Sequence, residues 1–339
     1  MALFYSDAEN WQYVSEYEQA VGHVPLIYAA YRPINPLAAV LDTTDLQDLV
    51  AGHGRPYHLN LGIYYTDPNG AIDVAAILSG QWDAVIADLA DEVAGLGVPC
   101  FVRPGFEFGA ADGVHGALSG PEFVAIWHHL RAVFAARGAT NVAWVWNAVN
   151  PASFDYTAYY PGDEAVDWWG INYFTVSQMT ASEQFVVDAA AHGKPVMVCE
   201  SCPITGGGTT NPDNWQAWFV PYFQTIARHP HIKAFTYISD PWDRPGFWES
   251  WPDTRIDANE LIRANYAAEL AAPRYVHLDP DRPGDIDGDG DVDLADLAGL
   301  LSCYGACLSD GRYDPVCDLD HDGCVELADL AALLAGYGG

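Results

Sequence analysis

The stretch GQWDAVIADLADEVAGLGVPCFVRPGFEFG (residues 80–109) joins a helix-like segment to a short apolar run. Residues 80–97 space their apolar side chains as an amphipathic helix does, and they end in glycine, a common C-terminal signal of a helix. Residues 98–106 are almost continuously apolar, which is typical of a strand buried on both faces. A helix followed by such a strand is the repeating unit of a parallel sheet covered by helices.

The same alternation continues to about residue 270. Amphipathic segments separate six further apolar runs, at residues 24–31, 57–65, 141–149, 166–174, 194–201 and 232–239. With a short or missing first strand in residues 2–6, this pattern predicts a (β/α)8 TIM barrel. The main alternative is a doubly wound open sheet, but no strand is followed by the G-x-G-x-x-G turn typical of nucleotide binding in such sheets. No apolar run is long enough to predict a membrane span.

Composition changes after Pro273, where DIDGDGDVDLAD (285–296) and DLDHDGCVELAD (318–329) form an internal repeat. We predict a barrel in residues 1–275, a linker in 276–284 and a second, small α-helical domain in 285–339. A calcium loop supplies oxygen ligands from positions 1, 3, 5, 7, 9 and 12, with glycine at position 6. Both repeats match that spacing, which predicts two Ca²⁺ ions, and we expect no cofactor for catalysis. The predicted ligands are Asp285, Asp287, Asp289, Asp291, Asp293, Asp296, Asp318, Asp320, Asp322, Cys324 through its carbonyl, Glu326 and Asp329.

Each loop ends in aspartate and is followed by an apolar helix-like stretch, and this tandem over residues 283–339 resembles a dockerin module. The resemblance implies a cohesin-bearing scaffold or cell-surface protein as partner. The familiar type often has Ser-Thr at loop positions 10 and 11, where this chain has Leu294-Ala295 and Leu327-Ala328. The partner therefore stays open, and a calcium-dependent fold clip without a cohesin partner is the alternative.

Charge and cysteine content predict the compartment and exclude some partners. The net charge of −32 argues against nucleic acids and anionic membranes, which would be repelled. Four of the seven cysteines lie close to the C-terminus, which predicts disulfides and a secreted protein; they are Cys303, Cys307, Cys317 and Cys324. Sequence does not choose among their three pairings. We expect the barrel to be monomeric.

Chemistry in barrel enzymes lies at the C-terminal ends of the strands. The candidate residues there are Arg103, Glu107, Trp146, Asn147, Asn172, Tyr173, Glu200, Asp240 and Trp242. Glu107 and Glu200 follow strands three apart, so we expect them to face each other across the mouth. Glycoside hydrolysis needs such a carboxylate pair, one as proton donor and one as nucleophile. The alternative is that both belong to structural ion pairs.

The same segments resemble clan A glycoside hydrolases, most closely family 26, over about residues 8–272. The motifs that carry the likeness are CFVRPGFEFGA (100–110), ATNVAWVWNAVN (139–150), YYPGDEAVDWWGINYF (159–174) and GKPVMVCES (193–201). The resemblance implies a retaining enzyme in which Glu107 is the acid/base and Glu200 the nucleophile. It also implies that Tyr173 hydrogen-bonds the nucleophile and that Trp242 floors the subsite where cleavage occurs.

The expected activity is that of an endo-β-glycanase on a plant or algal polysaccharide, with β-mannan first and β-1,3-xylan or β-glucan as alternatives. We expect Arg103, Trp146, Asn147 and Asp240 to join Tyr173 and Trp242 in contacting substrate, and Trp144 and Trp146 to point to opposite faces. Phe106 stands where the family usually has histidine, and His115 in the following loop is expected to be exposed. A non-catalytic glycan-binding barrel is the alternative from another functional class.

Overall fold

The computed structural model describes residues 3–4, 8–36, 58–67, 70–109, 113–244, 250–277, 284–287, 292–308, 310–320 and 322–338. The chain divides into two compact units. The barrel unit comprises Met1–Val21 and Ile27–Ala267, and the tail unit comprises Gly22–Leu26 and Ala268–Gly339. This division falls between Ala267 and Ala268 and does not test the boundaries predicted at residues 275 and 285, which stay predictions. None of the described helices has both the length and the apolar character of a bilayer-crossing segment.

The barrel unit contains one eight-stranded parallel sheet whose strands follow chain order. The strands are β1 (Leu3–Phe4), β2 (Ile27–Pro33), β3 (His58–Tyr64), β4 (Cys100–Pro104), β5 (Val142–Ala148), β6 (Trp168–Tyr173), β7 (Val196–Ser201) and β8 (Ile232–Phe235). The predicted short first strand is confirmed, since β1 pairs in parallel with β2 through two residues. Unbroken chain order is the arrangement of a (β/α)8 barrel, whereas a doubly wound sheet reverses its order.

Described α-helices lie between most of these strands, whereas β5 and β6 are joined by short 3-10 turns within residues 151–165. The described helices of the barrel unit are α1 (Ala8–Val21), α2 (Val74–Leu78), α3 (Asp83–Gly95), α4 (Gly120–Ala136), α5 (Val176–Ala181), α6 (Glu183–Ala191), α7 (Val220–Arg228) and α8 (Glu260–Leu270), which ends in the tail unit. Local sequence sets their starts. Before α4, for example, the Glu122 carboxylate accepts the Ser119 backbone N–H at 2.9 Å, and proline stands in the first turn.

Alternation along the strands separates an inner layer from an outer one. Val145, Met197 and Cys199 form a buried inner cluster, with Phe101 and Trp168 packed against it. Trp144 instead packs on Phe134 of α4, and Trp146 packs on Phe185 of α6. The expectation that these two tryptophans point to opposite faces is therefore wrong, because residues two apart on a strand share a face.

The tail unit has two described helices, α9 (Leu294–Cys303) and α10 (Leu327–Gly336), one after each acidic repeat, as predicted. Its small core consists of Val292, Leu300, Cys303, Cys317, Val325 and Leu333. Cys307 and Cys324 form a disulfide across an antiparallel bridge, which the Val325 N–H reinforces by donating to the Ala306 carbonyl at 2.8 Å. The disulfide predicted for this cysteine cluster is present between these two residues.

Candidate active site

A buried ion pair lies at the C-terminal end of the barrel strands. Arg103 on β4 is fully buried, and its Nη1 donates to Glu200 Oε1 on β7 at 2.7 Å. Glu200 itself is only 7% exposed. A buried charge is tolerated when it is paired and hydrogen-bonded, so Arg103 and Glu200 depend on each other for stability.

Two amides link this pair to the second carboxylate. Arg103 Nη1 also donates to Asn147 Oδ1 on β5 at 2.8 Å, and Asn147 Nδ2 donates to Asn172 Oδ1 on β6 at 3.1 Å. Asn172 Nδ2 in turn donates to Glu107 Oε1 at 2.8 Å. The hydrogen bonds therefore form a continuous chain over four neighbouring strands, with one predicted catalytic glutamate at each end. We call this chain the carboxylate bridge.

Glu107 is held in an unusual state at its end of the carboxylate bridge. The residue is half-buried, and its φ of +57° lies in the left-handed region that residues other than glycine rarely adopt. Burial and the nearby charge of Glu200 raise the pKa of Glu107 to about 8, against a smaller lowering from the Asn172 hydrogen bond. A carboxyl group with this pKa keeps its proton at neutral pH and can donate it.

Aromatic rings enclose the guanidinium of Arg103. Its Cζ lies 5.4 Å from the ring centre of Tyr31 and 5.1 Å from that of Phe106, within range of a cation–π contact. Gly62 on β3 leaves space for the Tyr31 ring, since a Cβ at position 62 would lie 2.6 Å from Tyr31 Cδ1. Burial and the Glu200 charge raise the pKa of Tyr31 well above its usual value, which keeps its hydroxyl neutral.

Two predicted substrate contacts lie elsewhere. Trp146 is 0% exposed, and its indole N–H donates to the Tyr159 carbonyl at 3.0 Å within an aromatic cluster between sheet and helices. Tyr173 is also fully buried, and burial, followed by the charge of Glu183 on α6, raises its pKa. The substrate contacts predicted for Trp146 and Tyr173 stay predictions, and the hydrogen bonds place their neighbours Asn147 and Asn172 beside the catalytic candidates.

The residues after β8 are nearly buried. Asp240 is 2% exposed, pairs with Arg244, and has its pKa raised to about 6, chiefly by burial. Trp242 is 4% exposed and meets the ring of Trp251 edge-on at 5.1 Å. Their roles in substrate binding stay predictions.

Tyr31 and His115, which lie near the carboxylates, were not predicted as site residues, and Asn172 was a strand-end candidate without a predicted role. Asn172 had a sequence signal, since it is an amide inside an otherwise apolar strand end, as Asn147 is. His115 is fully buried, so the expectation of an exposed loop histidine is wrong. Its ring touches Tyr65, directly after β3, and Phe106, just after β4, and nothing in its immediate sequence reveals those contacts.

The tail unit brings predicted metal ligands together in two clusters. Carboxylate oxygens of Asp285, Asp287 and Asp296 lie within 4.8 Å of one another, and so do those of Asp318, Asp320 and Asp322. Hard oxygen donors in this number fit a calcium ion, which also recruits backbone carbonyls and water. Asp289 and Asp291 lie outside the described residues.

The other predicted ligands organise the loops. Asp296 and Asp329 are fully buried, and each accepts three backbone N–H groups from its own loop. Asp293 and Glu326 stand at the N-termini of α9 and α10, respectively, in capping boxes. Cys324 lies in the disulfide, which leaves its carbonyl as the predicted ligand.

The chain has recognisable sequence relatives, although no family model matches it. A beta-1,3-xylanase from a Vibrio species is 26% identical over 78% of this chain, and one from an Alcaligenes species is 25% identical over 79%. This chain spans 63% of the length of each. Endoglucanase H of Acetivibrio thermocellus is 30% identical over 58% of this chain and 23% of its own length.

Solved structures agree in fold. A GH26 β-mannanase from Bacteroides ovatus matches with a TM-score of 0.58 at 15% identity, covering 78% of this chain and 84% of its own. A GH26 protein from a Muricauda species matches with a TM-score of 0.59 at 17% identity, covering 77% and 81%. At this identity the likeness concerns fold alone, and it gives this chain a (β/α)8 barrel-like fold of the GH26 type.

Proposed function

We propose that this protein is a retaining endo-β-glycanase in which Glu107 is the acid/base and Glu200 the nucleophile. The relatives and structural neighbours named above indicate a glycoside hydrolase. The observation that carries the assignment of roles is the carboxylate bridge, because it gives the two glutamates different surroundings. Glu200 faces the buried guanidinium of Arg103, while Glu107 faces an amide and has a raised pKa.

The mechanism follows from that difference. In the first step Glu107 gives its proton to the glycosidic oxygen while the ionised Glu200 attacks the anomeric carbon and forms a glycosyl ester. In the second step Glu107, now a carboxylate, takes a proton from water, which displaces Glu200 from the sugar. Arg103 hydrogen-bonds the nucleophile, and Asn172 orients the acid/base.

For the substrate, the sequence relatives favour β-1,3-xylan over β-mannan, which was the first expectation. Both xylanases are more similar in sequence than the mannanase of known structure, at 25–26% against 15% identity. Phe106 supports a departure from mannan, since an aromatic ring there lies against Arg103 and cannot hydrogen-bond a sugar hydroxyl. β-Mannan and β-glucan remain the alternatives.

A reducing-sugar screen over β-1,3-xylan, β-1,4-xylan, mannan, galactomannan and mixed-linkage glucan tests this proposal. We expect release of oligosaccharides from β-1,3-xylan, with the β-configuration retained in the first product seen by NMR. Inversion of that configuration would contradict the double displacement. Affinity for a glycan without any release would favour the non-catalytic binding barrel instead.

For the tail unit we propose two Ca²⁺ sites and a docking role on a cohesin-like partner. The two carboxylate clusters support the ions. Docking is supported by a repeated apolar surface: Leu294 and Leu301 on α9 correspond to Leu327 and Leu334 on α10, and Leu294 and Leu327 are 71% and 68% exposed. Exposed apolar patches of this kind mark interaction sites.

Calcium titration by calorimetry should give two sites, and capture on immobilised cohesin modules should require calcium. The variant Leu294→Ser/Leu327→Ser should bind calcium as the wild type does and lose the capture. Capture that survives this double substitution would exclude the leucine surface as the docking site.

The Cys307–Cys324 disulfide supports a proposed extracellular location, where such bonds persist.

A further inference from the structure

A buried histidine, His115, anchors the segment that carries Glu107. His115 Nε2 accepts the backbone N–H of Tyr65 at 3.0 Å, and His115 Nδ1 lies 2.5 Å from the Phe106 carbonyl oxygen. A ring nitrogen that accepts a hydrogen bond carries no proton, so the proton of the neutral ring is on Nδ1 and is donated to Phe106. Burial lowers the pKa of His115 to about 4, which keeps the ring neutral at neutral pH.

The peptide groups on both sides of the Glu107 Cα are fixed by these contacts. The first group contains the Phe106 carbonyl, held by the His115 ring, and the Glu107 N–H, which donates to the Asn147 carbonyl at 3.0 Å. The second contains the Glu107 carbonyl, which accepts the backbone N–H of His115 at 3.4 Å. The φ and ψ angles of Glu107 describe how these two peptide groups are rotated relative to each other. Fixing both groups therefore fixes the backbone conformation of Glu107, whose φ is +57°.

We propose that His115 is a positioning residue that holds Glu107 in this left-handed conformation and thereby aims its carboxyl group at Asn172. The inference rests on the proposed function, in which Glu107 is the acid/base. The rings of Tyr65 and Phe106 meet the imidazole edge-on at 5.0 and 5.2 Å, so the ring is packed in the orientation that both hydrogen bonds need.

The test is a pair of variants at position 115. His115→Phe keeps the bulk and removes both ring hydrogen bonds, and we expect kcat on polysaccharide to fall about 10²-fold with little change in KM, as for a misplaced catalytic group. His115→Gln, which can donate and accept, should recover part of the loss. An aryl glycoside with an activated leaving group needs no acid, so its first step should be nearly unaffected. His128→Gln, at an exposed position on α4, is the matched control.

A double-mutant cycle separates failure of this inference from failure of the proposed function. If His115 acts through Glu107, then Glu107→Gln/His115→Phe is no slower than Glu107→Gln alone. A Glu107→Gln variant with wild-type turnover would overturn the proposed function itself. The positioning role would be overturned by either of two results in which Glu107→Gln is slow. In the first, the losses of turnover in the two single variants add up in the double variant; in the second, His115→Phe keeps wild-type turnover. Should the Phe variant fail to fold, His115→Asn, which retains a donor for Phe106, enters the same cycle.

The tail unit carries an independent second inference, from its remaining cysteines. Cys303 ends α9, Cys317 directly precedes Asp318, and both side chains belong to the small core. Their Sγ atoms are 2.8 Å apart, little more than the roughly 2.05 Å of a disulfide bond. With Cys307 already bonded to Cys324, Cys303 and Cys317 are the remaining members of the C-terminal cluster.

We infer that Cys303 and Cys317 form a second disulfide that ties the helix after the first acidic loop to the start of the second. A small-molecule disulfide such as oxidised glutathione is the oxidant. The Cys303 thiolate attacks one of its sulfurs and releases a thiolate, and the Cys317 thiolate then displaces the second one from the mixed disulfide. Two protein thiols are oxidised to the disulfide, the glutathione disulfide is reduced to two thiols, and the two protons pass from the protein sulfurs to the glutathione sulfurs.

Thiol alkylation of the full chain, denatured without reductant after incubation with oxidised glutathione, tests this. We expect three alkylated cysteines, Cys100, Cys199 and Cys202, and four in the Cys317→Ser variant, in which Cys303 is freed. Cys100→Ser, in the barrel unit, is the control and should give two. Cleavage after Tyr304 and Arg312 and before Asp318 places the four tail cysteines on separate peptides for mass mapping. Five alkylated cysteines in the wild type, or a Cys303–Cys307 peptide, would overturn the inference.

Discussion

Carboxylates gather at two places in this protein, the mouth of the barrel unit and the loops of the tail unit, and their charges are balanced differently. At the mouth, a buried cation from another strand of the sheet, Arg103, meets one carboxylate, and an amide, Asn172, meets the other. In the loops, Asp296 and Asp329 accept hydrogen bonds from backbone N–H groups, and these hydrogen bonds bring no positive charge to the carboxylates. The first arrangement makes two glutamates unlike, which suits catalysis, and the second leaves negative charge that suits a hard metal ion.

The largest effect predicted at the mouth is that of Glu200→Gln. Glutamine still accepts a hydrogen bond from Arg103 but cannot attack the sugar, so we expect turnover to fall about 10⁴-fold or more, the scale on which hydrolases lose activity with their nucleophile. Steady-state kinetics measure it, and thermal unfolding checks that the fold persists. Glu183→Gln, in an exposed pair with Arg228, is the matched control and should retain full activity. If Glu200→Gln kept more than a tenth of wild-type turnover, Glu200 would not be the nucleophile. The contrast between catalytic carboxylates at the mouth and metal-binding carboxylates in the loops would then be lost.

Glu107 should give the next largest effect and a pH signature. Because its pKa is raised to about 8, the proton-donating form is present below that pH and is lost above it, so kcat/KM should fall as pH rises through about 8. Glu107→Gln should lower kcat by about 10²–10⁴-fold on polysaccharide and abolish that limb of the profile. A limb that persists in the variant would assign the titration to another group.

Calcium removal should affect only the other region. Chelation should lower the unfolding temperature of the tail unit, since saturation at 100 times Kd contributes about 2.7 kcal/mol of stability. Hydrolysis of a soluble oligosaccharide by the barrel should stay unchanged. Calorimetry and activity, each measured with and without chelator, check this, and magnesium is the control ion. Loss of activity on chelation would show that the two regions do not act separately.

The smallest predicted effect concerns the aromatic residues behind the mouth. Trp146→Phe removes a hydrogen bond and some packing, so we expect a loss of about 1–3 kcal/mol in the free energy of unfolding, with KM unchanged. Trp242→Phe should raise KM instead, if its predicted subsite role holds. Urea unfolding and Michaelis–Menten kinetics on both variants separate the two cases. A raised KM for Trp146→Phe would support its predicted substrate contact.

The strand order and the positions of Arg103, Glu107 and Glu200 could be predicted because a barrel places the C-terminal ends of apolar strands together. Which face a side chain occupies was harder to predict near the ends. Trp146 directly precedes Asn147, Tyr173 directly follows Asn172, and both asparagines point inward. A shift of one position along a strand moves a side chain to the other face.

The remaining features depend on contacts between distant segments. His115 bonds to the N–H of Tyr65, fifty residues earlier, so no local pattern could reveal its burial. The hydrogen-bond chain from Glu200 to Glu107 likewise needs four strands in register. In the tail the spacing of aspartates was visible in sequence, whereas the pairing of Cys307 with Cys324 required the bridge between their segments.

The most direct test of the account is to trap the glycosyl-enzyme. A 2-deoxy-2-fluoro glycoside of the best substrate's sugar, with an activated leaving group, should inactivate the protein with one sugar bound per chain. Peptide mapping should place that sugar on Glu200, and Glu200→Gln should not be labelled. A sugar mapped to Glu107 or Asp240, or turnover of the substrate with no covalent intermediate, would contradict the assignment of Glu200 as nucleophile.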